Sequence, residues 1–260
     1  MGRGLDGGQG LTAPPALAAR RPRVRRWLTL GGLLSGPLLW LGLAYLGSLA
    51  VLLARSLFQR DELSNKLITS PTIDHLKTVA TGEVYRSTTL RTVGVAVAVT
   101  VLDLALALPM SLYMAKLARP TLRRVMVAGV LMPLWASYVV KSYAWRALLD
   151  PVGGVFRKTL GVSPGFGLAA TTLTLAYLWL PYMVLPVYAG LERVPDSLIE
   201  ASSDLGGKSG RTFVSVVLPI LRPAILAGSI FTFSLTLGDY IAPSLVGGPG
   251  SSLIGTVVAR

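Results

Sequence analysis

The sequence has no cysteine, which excludes disulfides and thiolate-held metals. It has one histidine, His75, too few for a histidine metal cluster or a confident serine-type triad, and His75 is assigned to a solvated loop. Charge is scarce as well: 14% of residues are charged, against about 25% in soluble domains. Acid is scarcest, with 12 Asp and Glu against 25 Lys and Arg, a net charge of +13. No zinc-finger spacing or aromatic-basic platform accompanies that surplus, so it does not point to nucleic acid. The basic residues stand in short segments beside apolar runs, the pattern of cytoplasmic loops in membrane proteins.

What is present in quantity is apolar surface. Hydrophobic residues make up 52% of the chain, and the mean hydropathy is +0.60. The apolar residues come in long blocks, which predicts an all-α integral membrane protein. Residues 1–26 are rich in Gly, Ala, Pro and Arg and end on Arg20, Arg21, Arg23, Arg25 and Arg26. They are expected to form a disordered, basic cytoplasmic tail. The Arg20-Arg21 pair lacks the surroundings of a twin-arginine export signal.

Spans are expected at about 28–54, 88–113, 125–149, 166–189 and 220–241. The first run carries no charge over 27 residues. That is longer than the roughly 7–15-residue core of a signal peptide, so it is assigned as an uncleaved helix despite a possible cleavage site at Ser48-Leu49-Ala50. Residues 55–86 balance acid and base and suit an external loop, with a short surface helix after Pro71. Lys116, Arg119, Arg123 and Arg124 follow the second run with no acid among them, which marks the cytoplasmic side. Pro151, Gly153, Gly154 and Pro164 mark another external loop, and Pro181 and Pro186 are expected kinks. After a Pro/Gly/Ser-rich loop at 243–252, a sixth apolar run has only begun when the chain ends. Alternation then puts the N-terminus and the 190–219 loop inside.

That loop, Glu200 to Pro219 with its lead-in, is polar and punctuated by glycine between two apolar runs. Ser197 and Glu200 have the spacing of a capping box, and Leu198, Ala201, Ser202 and Leu205 fall on one face. Gly206 or Gly207 can close the helix in a left-handed conformation, and Arg211 to Val217 start a second helix leading to Pro219. Such a ridge suits docking into a groove on a partner as well as it suits resting on lipid headgroups. Gly207-Lys208-Ser209 looks like the end of a phosphate-binding loop, but Ser202 stands where that loop needs Gly, and a helix precedes instead of a strand.

The loop resembles the cytoplasmic signature of binding-protein-dependent ABC importer permeases: Glu-Ala-Ala, three residues, Gly, nine residues, Ile, one residue, Leu-Pro. Glu200, Ala201, Gly206, Leu218 and Pro219 match at the same spacing, with Ser202 for Ala and Val216 for Ile. Leu131-Met132-Pro133-Leu134-Trp135, Lys141 to Arg146, and Gly238 to Pro243 with Gly247-Gly248 extend the likeness over 27–260 and make it similar to the spermidine/putrescine branch. Permeases for iron, thiamine, sulfate and other solutes share much of that pattern.

The resemblance implies a type I, MetI-like helical bundle in a bacterial inner membrane, five complete spans plus the start of a sixth. It implies a transport subunit without enzymatic activity that couples ATP hydrolysis by partners to polyamine uptake. Glu200, Ala201, Ser202, Gly206, Leu218 and Pro219 would receive the ATPase. The implied partners are ABC ATPase subunits, a second permease subunit, an extracytoplasmic solute-binding protein and membrane lipid. This chain would bind no cofactor itself, ATP and magnesium being held by the ATPase.

Asp103 and Asp239 are the two acids inside expected spans. With Tyr240 they are candidates for lining a path for ammonium groups. The competing reading pairs Asp103 with Arg91 or Lys141 and leaves Asp239 in water at a span end. Tyr143, Trp145, Trp179 and Tyr182 join Tyr240 as possible cation–π groups, with interface packing as their other role. A membrane-embedded enzyme finds no converging nucleophile, base or metal set, and a channel or non-transporting subunit would leave the loop spacing without a reason.

Overall fold

The computed structural model describes residue 32, residues 34–56, 58–60 and 67–71, and residues 81–259. The expected tail at 1–26 and His75 lie outside the described residues. The chain divides into two units, Met1–Leu76 and Lys77–Arg260, each taken by itself below.

In the first unit, α1 (Leu34–Arg55) is long and apolar enough to cross a membrane. Its side chains are almost all exposed, as expected of a helix whose solvent is hydrocarbon. Behind it, β1 (Phe58–Arg60) pairs antiparallel with β2 (Leu67–Pro71). This small ribbon stands in the segment read from sequence as an external loop; the short surface helix expected after Pro71 falls on 72–80, outside the described residues.

In the second unit the order is α2 (Glu83–Leu117), α3 (Pro120–Trp135), α4 (Tyr138–Leu149), α5 (Val155–Leu160), α6 (Leu168–Glu192), α7 (Asp196–Asp204), α8 (Ser209–Gly238), α9 (Ile241–Val246) and α10 (Ile254–Val258). The helices α2, α6 and α8 all pack on one another and form the core. One cluster joins Ala107 and Met114 of α2 to Met183, Val184, Val187 and Leu191 of α6 and to Val217 and Leu221 of α8. A Cβ on Gly228 of α8 would lie 2.8 Å from Sδ and 3.3 Å from Cα of Met183. Small residues at such crossings let membrane helices approach closely.

Several hydroxyl groups within the spans are satisfied locally, whereas those of Thr174 and Thr232 are buried without a partner. Thr100 donates to Ala96 O at 2.7 Å, Thr171 to Gly167 O at 2.9 Å and Thr236 to Thr232 O at 2.8 Å. Bonds back to the carbonyl four residues earlier remove the cost of a bare hydroxyl in lipid. Pro181 and Pro186 lie inside α6, which continues through both.

The third apolar run is not one straight span. α3 and α4 meet at 98°, with the break between Trp135 and Tyr138. The sequence shows why: Pro133 removes a donor near the end of α3, and Ala136 and Ser137 take extended backbone angles. The 243–252 segment, read as loop, begins within the short helix α9, which runs from Ile241 to Val246.

Two ends of the bundle are defined by contacts. At one, Lys116 at the foot of α2 reaches Val194 and Asp196 after α6. At the other, Arg91 donates to Gly250 O, the amide of Ile254 donates to Thr92 Oγ1, and Gly167 N donates to Val246 O. The basic 116–124 segment thus shares an end with the 192–212 loop.

Candidate functional site

The loop between α6 and α8 holds the surface helix α7. Its first turn follows from Pro195, which precedes it at φ −65° and ψ 135°, angles that proline favours just outside a helix. Asp196 opens the helix, and an acid there complements the dipole. The capping box expected at Ser197 and Glu200 is absent: Ser197 is the second helical residue, and the N-cap, Pro195, has no side-chain cap bond. The helix starts earlier than the spacing implied because Asp196 is anchored, its Oδ1 accepting from Lys116 Nζ at 2.6 Å.

The end of α7 is a Schellman turn. Gly206 N donates to Ser203 O at 2.8 Å and Gly207 N to Ser202 O at 2.9 Å, the two bonds that define the motif. The two glycines serve different needs. Gly206 is left-handed at φ 79°, where a Cβ costs about 1 kcal/mol or more. Gly207 sits where a Cβ would lie 2.6 Å from Ser202 O and 2.7 Å from Ser202 Oγ. Gly207-Lys208-Ser209 therefore joins a Schellman turn to the start of α8.

The faces of α7 differ from the expected grouping. Ile199 is half-buried against the core cluster that includes Val194 and Phe213. Ser202, three residues on, is also half-buried and shares a 2.8 Å hydrogen bond with Thr212 Oγ1. Ser202 therefore belongs to the inner face. Leu198, Ala201 and Leu205 form the outer stripe, with Leu205 89% exposed and Glu200 exposed beside them. This apolar ridge beside a carboxylate is left largely exposed. Behind it, α8 begins at Ser209 and passes through a π-turn at Phe213–Val217 before Leu218 and Pro219. The expected short second helix is thus the foot of the span itself.

The two intramembrane acids have opposite surroundings. Asp103 is wholly buried in α2, and neither carboxylate oxygen has a hydrogen-bond partner. The alternative pairings do not occur, because Arg91 is bonded to Gly250 O and Lys141 to Pro133 O. Each cation is bonded to a backbone carbonyl instead. Asp239 does not stand in water at a span end: it is 7% exposed. It accepts from the amides of Ile241 at 3.0 Å and Ala242 at 3.2 Å through Oδ1, and from the Tyr138 hydroxyl through Oδ2. It thereby holds the start of α9 against the start of α4.

Around Asp239 lies an open cavity of about 340 Å³, lined by Tyr138, Trp179, Ser234, Gly238, Asp239 and Tyr240 among others. Tyr138 stacks on Trp179 with centroids 5.7 Å apart, and Tyr182 meets Trp179 edge-on at 5.8 Å. Asp103 is one turn from Val99, which packs in the same cluster as Tyr138 and Trp179. The other aromatic candidates stand elsewhere: Trp145 packs on Tyr177 and Phe156, and Tyr143 is exposed. The sequence reading missed Tyr138 in this role, and it missed Lys116 and Thr212. Only Lys116 had a signal, as the first cation of the basic run beside the loop.

A family model described as "Binding-protein-dependent transport system inner membrane component" matches residues 85–260. The chain is 43% identical over 236 residues to the inner membrane ABC transporter permease protein YdcU of Escherichia coli K12, covering 84% of this chain and 75% of that one. It is 29% identical over 181 residues to the spermidine/putrescine transport system permease protein PotB of the same organism, covering 67% and 66%. Among solved structures, a chain of a bacterial alginate ABC transporter in complex with an alginate pentasaccharide-bound periplasmic protein matches with a TM-score of 0.67 at 16% identity, over 92% of this chain and 84% of that one. That likeness concerns the fold. Together these matches show the type I, MetI-like permease fold in a multi-span membrane subunit, and the chain belongs to the family of binding-protein-dependent transport system inner membrane components.

Proposed function

We propose that the chain is one of two permease subunits of an ATP-driven importer for polyamines such as spermidine and putrescine. The observation that carries the solute class is the cavity where the Asp239 carboxylate lies beside Tyr138, Trp179 and Tyr240. A carboxylate with aromatic faces is what an organic ammonium requires on leaving water. Asp103, one turn from Val99 of the neighbouring cluster, would supply a second carboxyl group, suited to a multivalent cation. PotB, a relative at 29% identity, supports the same solute class, while the name of YdcU states no solute.

In this reading the outer stripe of α7, with Glu200, sits in a groove of an ABC ATPase subunit. That subunit binds ATP and magnesium, and its closure moves the loop. Gly206, Leu218 and Pro219 hold the loop's shape at its exit and at the foot of α8. A solute-binding protein delivers the polyamine at the opposite end, near 150–165 and 243–252. The basic residues of the N-terminal sequence and of the 116–124 segment support a cytoplasmic N-terminus and a cytoplasmic α7.

The test is uptake of radiolabelled spermidine and putrescine by proteoliposomes holding this chain, its second permease and its ATPase, with the binding protein present. Saturable, ATP-dependent uptake that falls about tenfold or more in Asp239→Asn, a loss of roughly 1.4 kcal/mol, is the expected result. An assembly that hydrolyses ATP but takes up neither polyamine would overturn the solute class.

A further inference from the structure

The foot of α2 ends in a π-turn, Tyr113–Leu117, closed by a 2.8 Å bond from Ala118 N to Tyr113 O. Such widened turns inside α-helices mark functional positions more often than chance. Within this one lies Lys116. Its ammonium donates to Val194 O at 2.7 Å and to Asp196 Oδ1 at 2.6 Å. One side chain on α2 therefore holds both the exit of α6 and the first residue of α7.

The environment argues against a purely stabilising role. The Lys116 side chain is only 16% exposed, whereas that of Asp196 is 74% exposed. An ion pair with one partner so open to water contributes little to stability. Its geometry is nonetheless well defined, because Val194 is buried in the core cluster and Met114, two residues before Lys116, is buried in the same cluster. Lys116 is thus fixed at its base and holds α7 at its tip. On its other flank, α7 is held to the foot of α8 by Ser202 and Thr212. The surface helix is tied to two of the three core helices, and one of these, α2, carries Asp103.

We infer that Lys116 is a positioning residue that makes α7 and the lower half of α2 move as one body, so that displacement of α7 by the ATPase reaches the span that carries Asp103. This rests on the reading of α7 as the ATPase-docking helix. Lys116 is not among the outer-stripe residues assigned to docking: its side chain is 16% exposed and its bonds go to Val194 and Asp196. In Lys116→Met the aliphatic stem stays and both polar ties go. Lys116→Arg retains a cation able to reach the same oxygens.

The test uses the assembled transporter in nanodiscs. Because this chain has no native cysteine, spin labels at Leu106→Cys on α2 and Ser203→Cys on α7, both exposed, report one distance within it. With Lys116 intact, that distance is expected to stay the same between the nucleotide-free and the ATP–vanadate-trapped states. In Lys116→Met it should shift or broaden on trapping by on the order of one helical turn, about 5 Å. Uptake per ATP hydrolysed should fall about tenfold and return in Lys116→Arg, while the ATPase still copurifies. Identical distance behaviour in the parent and Lys116→Met, or unchanged uptake per ATP, overturns the inference and leaves docking intact. Failure of the ATPase to copurify with the unmodified chain overturns docking and the inference together.

Discussion

Ser202 Oγ on the surface helix α7 lies 2.8 Å from Thr212 Oγ1 at the foot of α8, with Gly207 packed beneath both. A methyl group on Gly207 would meet Ser202 O at 2.6 Å, Ser202 Oγ at 2.7 Å and Thr212 Oγ1 at 3.1 Å. Gly207→Ala should therefore break this bond and strain the Schellman turn, at a cost of about 1–3 kcal/mol typical of overpacking. Limited proteolysis in the 200–212 segment is the check, with faster cleavage expected than in the parent. Gly210→Ala, where a Cβ meets nothing within 4 Å, should leave cleavage unchanged.

On the proposed reading, Asp103 sets stability against function. Its carboxylate is buried with neither oxygen bonded, and an unsatisfied polar group costs about 1–3 kcal/mol on mutational scales. Asp103→Leu removes that cost with an apolar side chain of the same branched outline, though a bulkier one. The assembled complex in detergent should melt a few degrees higher while spermidine uptake falls. Such trade-offs are common where a site needs a group the fold would not choose. A lower melting temperature together with unchanged uptake would show that Asp103 is an ordinary packing residue.

Much of the fold was legible because lipid imposes simple rules. Uncharged runs of about twenty residues and the Lys116–Arg124 cluster follow directly from hydrocarbon thickness and the charge bias of loops. The bend in the third run was not legible because hydropathy has no direction: Trp135 to Tyr138 stay apolar enough to hide a 98° break. The start of α7 was displaced because spacing favoured Ser197 as a cap. The actual anchor, Lys116 on Asp196, spans 80 residues of sequence. Tyr138 escaped for the same reason, as its bond to Asp239 joins positions 101 residues apart. Local chemistry could be read from the chain, whereas partners chosen by packing could not.

The outer stripe of α7 gives a prediction about assembly. Leu205 is 89% exposed and Leu198 43% exposed, and apolar anchors of this kind dominate helix-in-groove binding. Leu205→Asp should weaken copurification of the ATPase by about tenfold or more, since a carboxylate in a desolvated groove has no partner. Ser203→Ala, on an exposed position outside the stripe, should copurify as the parent does. If both variants retain the ATPase equally, α7 rests on another surface.

The last prediction separates Tyr138 from Asp239 in the cavity. Tyr138 does two things: its ring stacks on Trp179, and its hydroxyl donates to Asp239. Tyr138→Phe keeps the stack and removes the donor, leaving Asp239 with the amides of Ile241 and Ala242. The lost bond to a charged acceptor should destabilise by about 1.5–3 kcal/mol, read as a lower melting temperature of the complex. Uptake should fall less than in Asp239→Asn, because the carboxylate remains. If Tyr138 acts on transport only by holding that carboxylate, the double variant should transport no worse than Asp239→Asn alone. Residues in one hydrogen-bonded unit give such non-additive losses. Additive losses would mean that the Tyr138 hydroxyl contacts the solute by a route of its own.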